Sequence, residues 1–243
     1  MKLGIRLLGL GSVAAGVLDL MYGEFEAAHQ PIQALGDHIP GVRVLAYVTG
    51  LWLVAGGLAI QWPRSRRAGA IALAIIYGCF AAFQIPRFWT APALLGSSWR
   101  LFVGLVTGPC VELVPVAACV LLVAPSRTRT VRYTFAICAI AFGLEHLANP
   151  ADVATMIPAW MPLPGAWWAV VTGICFIAAG LAFAAHRFDV LAARLLAAMF
   201  GVFSALSLVP LLVAAPHDHV AWGGNAVNLA IIGATWLFAD ALT

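Results

Sequence analysis

The sequence predicts an all-α integral membrane protein with about eight transmembrane helices, arranged as two parallel four-helix repeats with both termini in the cytoplasm. Of its 243 residues, 63% are hydrophobic and only 9% are charged, and the mean hydropathy is +0.97. A soluble domain typically has about a quarter of its residues charged. The composition therefore indicates a chain that lies largely within lipid.

Charged and helix-breaking residues divide the chain into eight apolar stretches, each close to the length of about 20 residues that crosses a bilayer. The predicted spans are 3–22, 42–62, 70–88, 101–124, 131–149, 166–185, 191–214 and 222–242. The first stretch follows Lys2 and Arg6, as a secretory signal would, but it continues to Tyr22 without a convincing small-residue cleavage site. We therefore predict that it is the first transmembrane helix.

The basic residues predict which side of the membrane each connection faces. Of the 13 Lys and Arg residues, all but Arg43, Arg87 and Arg100 lie at the N-terminus or in connections from an even to an odd span. Short loops rich in Lys and Arg remain in the cytoplasm. Both termini are therefore predicted to be cytoplasmic, and this topology explains the net charge of +3 without nucleic-acid binding.

An internal repeat predicts the arrangement of the spans. Residues 45–60, LAYVTGLWLVAGGLAI, align without gaps with residues 168–183, WAVVTGICFIAAGLAF, and share VTG and an AxGLA core. The predicted units are residues 1–124 and 125–243. Because each unit has an even number of spans, both enter the membrane in the same direction, as parallel repeats.

The segment FGLEHLANP, residues 142–150, places two ionisable residues in an apolar span. Glu145 and His146 lie about one turn from the predicted outer end of span five, and Asn149 follows one turn later. Asp19 lies at a similar depth in span one and is roughly their repeat equivalent. Because ionisable residues in a span are functional candidates, a shared outer-leaflet site is one hypothesis. The alternative is that Glu145 and His146 only tie down the outer helix ends through hydrogen bonds.

Glu112 is the candidate for a buried functional carboxylate. It lies near the middle of span four, between Pro109 and Pro115. Because a charge facing lipid is costly, we expect Glu112 to face the bundle, either neutral or paired with Gln84 or Arg100. A purely structural hydrogen bond is the alternative role for this carboxyl group.

The histidines give a weaker case for a divalent metal. His217 and His219 in the sequence HDH would point the same way from an extended loop. His29 or His38, together with a carboxylate, would complete a nitrogen and oxygen shell. Against this hypothesis, the chain has no HExxH motif and no histidines spaced i, i+4.

Tryptophans cluster at the predicted outer ends of the spans. Trp160 and Trp168 are candidates to cover a lipid headgroup or a quinone ring, together with Asn149, although an interfacial anchoring belt explains them equally well. The segment IPAWMPLPG, residues 157–165, contains three prolines and cannot be regular helix throughout. We predict a short outer lid there, with DHIPG, residues 37–41, as its repeat partner.

Three stretches of the second unit resemble the DoxX-like membrane proteins. They are FGLEHL, then IPAWMPLPGAWWAVVTGICFIAAGLAF, and finally PHDHVAWGGNAVNLAIIGATWLFADAL. The resemblance covers residues 131–243 and extends to residues 1–124 mainly through the internal repeat. It implies a bacterial-type inner-membrane protein made of two fused four-helix units. It also implies a loose association with redox chemistry, because one relative is the membrane subunit of a thiosulfate:quinone oxidoreductase.

Two functional hypotheses follow from the residues and the resemblance. The first is a redox-linked membrane subunit that contacts quinone or another small hydrophobic molecule at the outer leaflet, with Glu145, His146, Asp19 and Glu112 as catalytic candidates. It expects a pocket between the repeats lined by Glu145, His146 and Asp19, and it allows a soluble or membrane redox partner and an oligomer. The second is a non-enzymatic assembly, lipid-binding or transport module.

Overall fold

A computed structural model describes residues 2–25, 29 and 41–243, and the described residues are almost entirely helical. The helices are α1 (Lys2–Tyr22), α2 (Val42–Ala59), α3 (Arg66–Phe83), α4 (Arg87–Leu95), α5 (Trp99–Val123), α6 (Thr128–Ala148), α7 (Pro150–Ala154), α8 (Gly165–Ala185), α9 (Asp189–Phe203), α10 (Val209–Ala214) and α11 (His219–Ala241). A 3₁₀ turn (Pro125–Arg127) precedes α6, and a π turn (Ser204–Leu208) joins α9 to α10.

Within the described residues, seven helical segments are long and apolar enough to cross a membrane. They are Lys2–Tyr22, Val42–Ala59, Arg66–Leu95, Trp99–Val123, Pro125–Ala148, Gly165–Ala185 and Asp189–Ala214. Each one contains most of a predicted span, from the first to the seventh. By the length and composition of these segments, the chain is a multi-pass membrane protein.

The eighth predicted span, 222–242, corresponds to α11, which is not one of these seven segments. Asn225, Asn228 and Asp240 lower its hydropathy. However, α11 packs against α1, α9 and α5, and about half of its residues are buried. A helix covered by protein needs less apolar surface than one that faces lipid, so its polar residues are compatible with a central position.

The helices pack as a ring of matched pairs. In the first half α2 packs on α1, α3 on α2 and α5 on α3, and in the second half α8 packs on α6, α9 on α8 and α11 on α9. Contacts of α1 with α11 and of α5 with α6 close the ring, and α5 also touches α11 across it. Each half thus uses the same order of neighbours.

Among the helices of the described residues, α1 and α11 make the most extensive contact. A Cβ atom added to Gly4 would lie 2.8 Å from the Gly233 carbonyl oxygen, and one added to Gly233 would lie 2.8 Å from the Gly4 carbonyl oxygen. Glycine at both positions lets the two backbones touch, which is how small residues stabilise helix pairs in lipid. This crossing joins the first half of the chain to the second.

Two ion pairs lie at the predicted cytoplasmic end of the second half. Arg132 on α6 bonds to Asp189 at the start of α9, and Arg194 on α9 bonds to Asp240 near the end of α11. The Arg194 guanidinium also lies 4.1 Å from the centre of the Trp236 ring. These side chains hold the ends of neighbouring helices together, away from the candidate site described next.

Candidate functional site

Ionisable side chains are buried together where α1, α3 and α5 meet. The Nε2 atom of His29 lies 3.6 Å from the Oε2 atom of Glu112, and the two side chains are 0% and 1% exposed. Ser12 and Asp19 on α1 are also fully buried. With Tyr77 on α3 these residues form a group that we call the ionisable cluster: Ser12, Asp19, His29, Tyr77 and Glu112.

Aromatic rings enclose the imidazole of His29. The ring stacks on Phe80, with centres 4.1 Å apart and planes inclined by 9°, and it meets the edge of Tyr77 at 5.9 Å. Phe25 packs edge-on against the same Phe80 ring at 6.4 Å. Residue 29 therefore lies inside the helical bundle, although it follows the first membrane-crossing segment in sequence.

The hydroxyl group of Tyr77 is tied to α1. Its oxygen lies 2.9 Å from the Ser12 Oγ atom, and Ser12 donates its own hydrogen to the Leu8 carbonyl oxygen at 2.9 Å. Since a serine hydroxyl has a single hydrogen, Tyr77 must be the donor to Ser12. Asp19 and Glu112 both act electrostatically on the Tyr77 hydroxyl, which places all three groups in one neighbourhood.

A glycine one turn before Glu112 allows the end of α3 to approach the middle of α5 closely. Gln84, just after α3, donates from Nε2 to the Gly108 carbonyl oxygen at 3.3 Å. A Cβ atom at residue 108 would overlap the Gln84 amide, so glycine is needed for this approach. Arg100, a predicted partner of Glu112, is instead exposed beside the ring of Trp99.

His219, the first residue of α11, acts electrostatically on His29 from near the protein surface. His219 is partly exposed and stacks on Tyr22, with ring centres 4.4 Å apart and planes inclined by 12°. The Tyr22 hydroxyl donates to the His217 carbonyl oxygen at 3.1 Å. Burial lowers the pKa of His219, whereas the negative charges of Glu24 and Asp218 raise it.

Burial also lowers the pKa of His29 far below its ordinary value, and the positive charge of His219 lowers it further. An imidazole in this environment is neutral at pH 7. His219 thus acts on His29 electrostatically, but His29 itself faces a buried carboxyl group and aromatic rings.

The metal hypothesis finds no complete shell in residues 2–25, 29 and 41–243. No three His, Cys, Asp or Glu side chains within these ranges are close enough to hold an ion together. His217 is exposed, His219 stacks on Tyr22 and His29 is buried beside Glu112. His38 lies outside the described residues, as does most of the predicted repeat partner of the lid, DHIPG.

Asp19 and His146 occupy matching positions in the two halves. A Cβ atom on Gly50 of α2 would lie 3.0 Å from the Asp19 Cβ atom, and one on Gly173 of α8 would lie 3.0 Å from the His146 Cβ atom. Gly50 and Gly173 are themselves repeat partners in the sequence alignment. Asp19 therefore packs against α2 in the first half, and His146 packs against α8 in the second half.

Glu145 and His146 make their hydrogen bonds at the end of their own helix. Asn149 donates from Nδ2 to the Glu145 Oε1 atom at 2.9 Å, as their spacing predicted. The Nδ1 atom of His146 lies 2.8 Å from the Phe142 carbonyl oxygen, and its ring leans on Phe176 at 5.1 Å. Both side chains are only partly buried. These contacts agree with the alternative in which the pair stabilises a helix end.

A groove of about 750 Å³ lies between α1, the segment from the π turn to α10, and α11. The groove thus lies between the two halves of the chain. Glu145, His146 and Asp19 do not line it, contrary to the expectation from the sequence. The residues that line the groove include Leu18, Tyr22, Ser204, Ala205, Trp222 and Asn225. Leu18 faces the groove while the next residue, Asp19, faces α2, because successive side chains on a helix point about 100° apart.

Asparagines of α11 stabilise the π turn that forms one wall of this groove. Asn225 donates to the Leu208 carbonyl oxygen at 2.9 Å, and Asn228 donates to the Phe200 carbonyl oxygen at 2.9 Å and to Ser204 Oγ at 2.5 Å. The wider turn leaves backbone groups that need such partners, and π turns are frequent at functional sites. Both asparagines thus bond to a neighbouring helical segment.

The proline-rich segment before α8 is irregular, as predicted, and Trp168 anchors it. The indole of Trp168 donates to the Pro162 carbonyl oxygen at 2.7 Å, and Trp222 makes the same bond to Pro216 at 2.9 Å. Trp160 is 70% exposed. Trp222, rather than Trp160 or Trp168, is the tryptophan that lines the groove.

Comparisons of the chain with protein-family models, with curated proteins and with solved structures find no match. The DoxX-like resemblance therefore remains a prediction. The pairing of His29 with Glu112 and the roles of Tyr77 and Ser12 were missed by the sequence analysis. The signal that could have found them is that polar residues of spans one, three and four are few and must face one another inside the bundle.

Proposed function

We propose that the chain is a DoxX-like protein of the bacterial inner membrane that binds a quinone, or another small hydrophobic molecule, at the outer leaflet as a redox-linked subunit. The observation that carries this proposal is the groove between α1, the π turn with α10, and α11. Its volume of about 750 Å³ lies within the range of about 300–1,000 Å³ typical of small-molecule sites.

The walls of the groove suit a molecule with an apolar tail and a small polar head. Leu18, Ala205 and Val209 contribute apolar surface, and Tyr22 and Trp222 contribute aromatic rings. Polar atoms are few and are concentrated near Asn225 and the end of α1, so a headgroup would be oriented there. The lipid bilayer is the direct route of entry for such a molecule.

The proposal includes eight spans, two parallel repeats over residues 1–124 and 125–243, and cytoplasmic termini. The matched order of helix neighbours supports the duplication, as do equivalent hydrogen bonds. Thr49 donates to the carbonyl oxygens of Leu45 and Ala46, and Thr172 donates to those of Trp168 and Ala169. The excess of basic residues on one side supports the orientation. On this topology the groove and the surface end of the ionisable cluster face outward.

A non-enzymatic lipid-binding, assembly or transport module is the second candidate. The observation that favours it is the nearly complete apolarity of the groove, which would accept the acyl chain of a phospholipid as readily as an isoprenoid tail. Its prediction differs from the first in the identity of the bound molecule. An oligomer or a redox partner is compatible with both candidates.

The test is to extract the detergent-purified protein with organic solvent and to identify the bound molecules by mass spectrometry. Ala205→Phe fills the groove, and we expect it to reduce the bound quinone about fivefold or more, since overfilling a packed site costs on the order of 1–3 kcal/mol. Ala178→Phe is the matched control, because it makes the same change in a separate groove between α8 and α9.

Each outcome of this extraction decides between the candidates. Quinone that is present in the wild type and in Ala178→Phe but lost in Ala205→Phe supports the redox-linked subunit. Phospholipid without quinone, again lost only in Ala205→Phe, supports the lipid-binding module. Equal amounts of either molecule in all three proteins contradict the assignment of the groove.

A further inference from the structure

We propose that the His29–Glu112 pair is a proton-binding site that holds one proton and exchanges it with the surrounding water through His219. The ligand of this site is the proton itself, so the proposal does not depend on which molecule occupies the groove. It concerns side chains to which the resemblance assigns no role.

The geometry of the pair carries the first step. The Nε2 and Oε2 atoms are 3.6 Å apart, and both side chains are withdrawn from solvent. An isolated charge is costly to bury, whereas a pair with zero net charge is tolerated. With one proton the pair is neutral overall, either as imidazole with carboxylic acid or as imidazolium with carboxylate. Losing that proton would add a negative charge to a site withdrawn from solvent, which favours its retention by the pair.

The surroundings favour the neutral imidazole with the carboxylic acid. Neither ring nitrogen of His29 makes a hydrogen bond within the described residues, and the faces of the ring meet Phe80 and Tyr77. Aromatic rings give an imidazolium less stabilisation than hydrogen-bonding groups would. The Tyr77 hydrogen is committed to Ser12. The proton of the pair therefore lies mainly on the Glu112 carboxyl group.

Other titratable groups interact electrostatically with members of the cluster. Asp19 on α1, together with Glu112 and Cys119 on α5, acts on Tyr77 of α3, and His219 acts on His29 from α11. Asp19 is a second buried carboxyl group, and a like charge nearby further disfavours loss of the proton from Glu112. The pair and its neighbours titrate together as one coupled system.

His219 supplies the connection to water. It acts on His29 electrostatically, is partly exposed, and has a buried Nε2 atom without a hydrogen-bond partner in the described residues. Histidine is the side chain best suited to relay protons near neutral pH. Glu24 and Asp218 act on the His219 ring as negative charges, so they favour a proton arriving there from water.

The test is infrared spectroscopy of the protein in phosphatidylglycerol vesicles at pH 7, with the chain labelled with ¹³C-glutamate. The chain has four glutamates, which are Glu24, Glu26, Glu112 and Glu145. We expect the band of a protonated glutamate carboxyl group in the wild type. Glu145→Gln retains this band, and Glu112→Gln removes it.

Two further measurements keep the test decisive if Glu112→Gln does not fold. Glu145→Gln combined with Glu24→Gln and Glu26→Gln leaves Glu112 as the only glutamate of the chain, so a retained band supports the site and a lost band overturns it. After transfer to ²H₂O, His219→Gln should slow the isotope shift of the band at least about tenfold, because exchange then depends on local opening of the bundle.

A purely structural role for His219 would instead lower the stability of His219→Gln and speed the exchange through local opening of the bundle. Exchange of His219→Gln at the wild-type rate, in a protein with wild-type thermal stability, overturns the route through His219. Absence of any protonated glutamate band in the wild type at pH 7 overturns the site as a whole. Neither result bears on whether a quinone or lipid copurifies, so failure here is distinct from failure of the proposed function.

Discussion

The two halves of the chain treat equivalent positions differently. On α1, Asp19 is fully buried and acts electrostatically on Tyr77, whereas its counterpart His146 on α6 is partly exposed and bonds to its own helix. The first half thus concentrates its ionisable groups inside the bundle, and the second half leaves them at a helix end. A shared backbone plan does not imply a shared site, because the side chains decide where polar groups are buried.

The largest expected effect separates these halves by stability. Glu112→Ala removes a fully buried side chain and opens a cavity, and truncating a buried side chain of this size to alanine costs about 2–5 kcal/mol. Glu145→Ala removes one hydrogen bond from a partly exposed side chain, which costs about 1 kcal/mol. Unfolding in mixed micelles by denaturing detergent measures both. Equal losses of stability would contradict the difference between the halves.

The pH dependence of stability sharpens the same comparison. Burial lowers the pKa of His29, so on its own this group loses stability as the pH falls below its ordinary value of 6.5. The proton retained by the pair offsets this loss down to the ordinary value of glutamate, about 4.3. We therefore expect a plateau between about pH 4.3 and 6.5, with losses of up to about 1.4 kcal/mol per pH unit on each side.

Glu112→Gln is the variant that checks the cause of this plateau. Without the carboxyl group, His29 is the only member of the pair that titrates, so the loss of stability on acidification should begin near pH 6.5. Thermal unfolding in detergent across this range measures the change. An unchanged acid limb in Glu112→Gln would show that other groups set the pH dependence.

Tyr77→Phe tests the link between α1 and α3. It removes the hydroxyl that donates to Ser12, and the loss of one buried hydrogen bond costs about 1 kcal/mol. The double variant Tyr77→Phe with Ser12→Ala should lose less stability than the sum of the single changes. Additive losses would indicate that the two hydroxyl groups do not interact.

Much of the helical framework could be predicted from composition and breaker residues, because helices in lipid must satisfy their own backbone. The π turn at Ser204–Leu208 could not, since it depends on hydrogen bonds from Asn225 and Asn228 on another helix. α11 stood out less by hydropathy because packing, rather than lipid, covers much of it.

The candidate site was only partly predictable. Glu112 was identified correctly as a buried carboxyl group, because its position in an apolar helix demands burial. Its neighbour His29 comes from a connection 83 residues earlier in the chain, and local sequence does not reveal where a connection folds back. Asp19 was grouped with Glu145 because their depths are similar, but depth alone does not say which face of a helix meets which neighbour.

The smallest expected effect concerns the end of α6. Asn149→Ala removes the hydrogen bond to Glu145 and should cost about 0.5–1 kcal/mol, because the pair is partly exposed. The same unfolding measurement in mixed micelles applies. A loss as large as that of Glu112→Ala would mean that Glu145 and Asn149 belong to a buried network and not to a helix end.

The most direct test of the account is photolabelling with an azido-quinone, followed by peptide mapping of the labelled residues. We expect labels on α1 near Leu18 and Tyr22 and on the segment from Val209 to Asn225, because these parts of the chain surround the groove. We also expect the labels to be lost in Ala205→Phe. Labels concentrated around Glu145 and Trp168, or labels unaffected by Ala205→Phe, would contradict it.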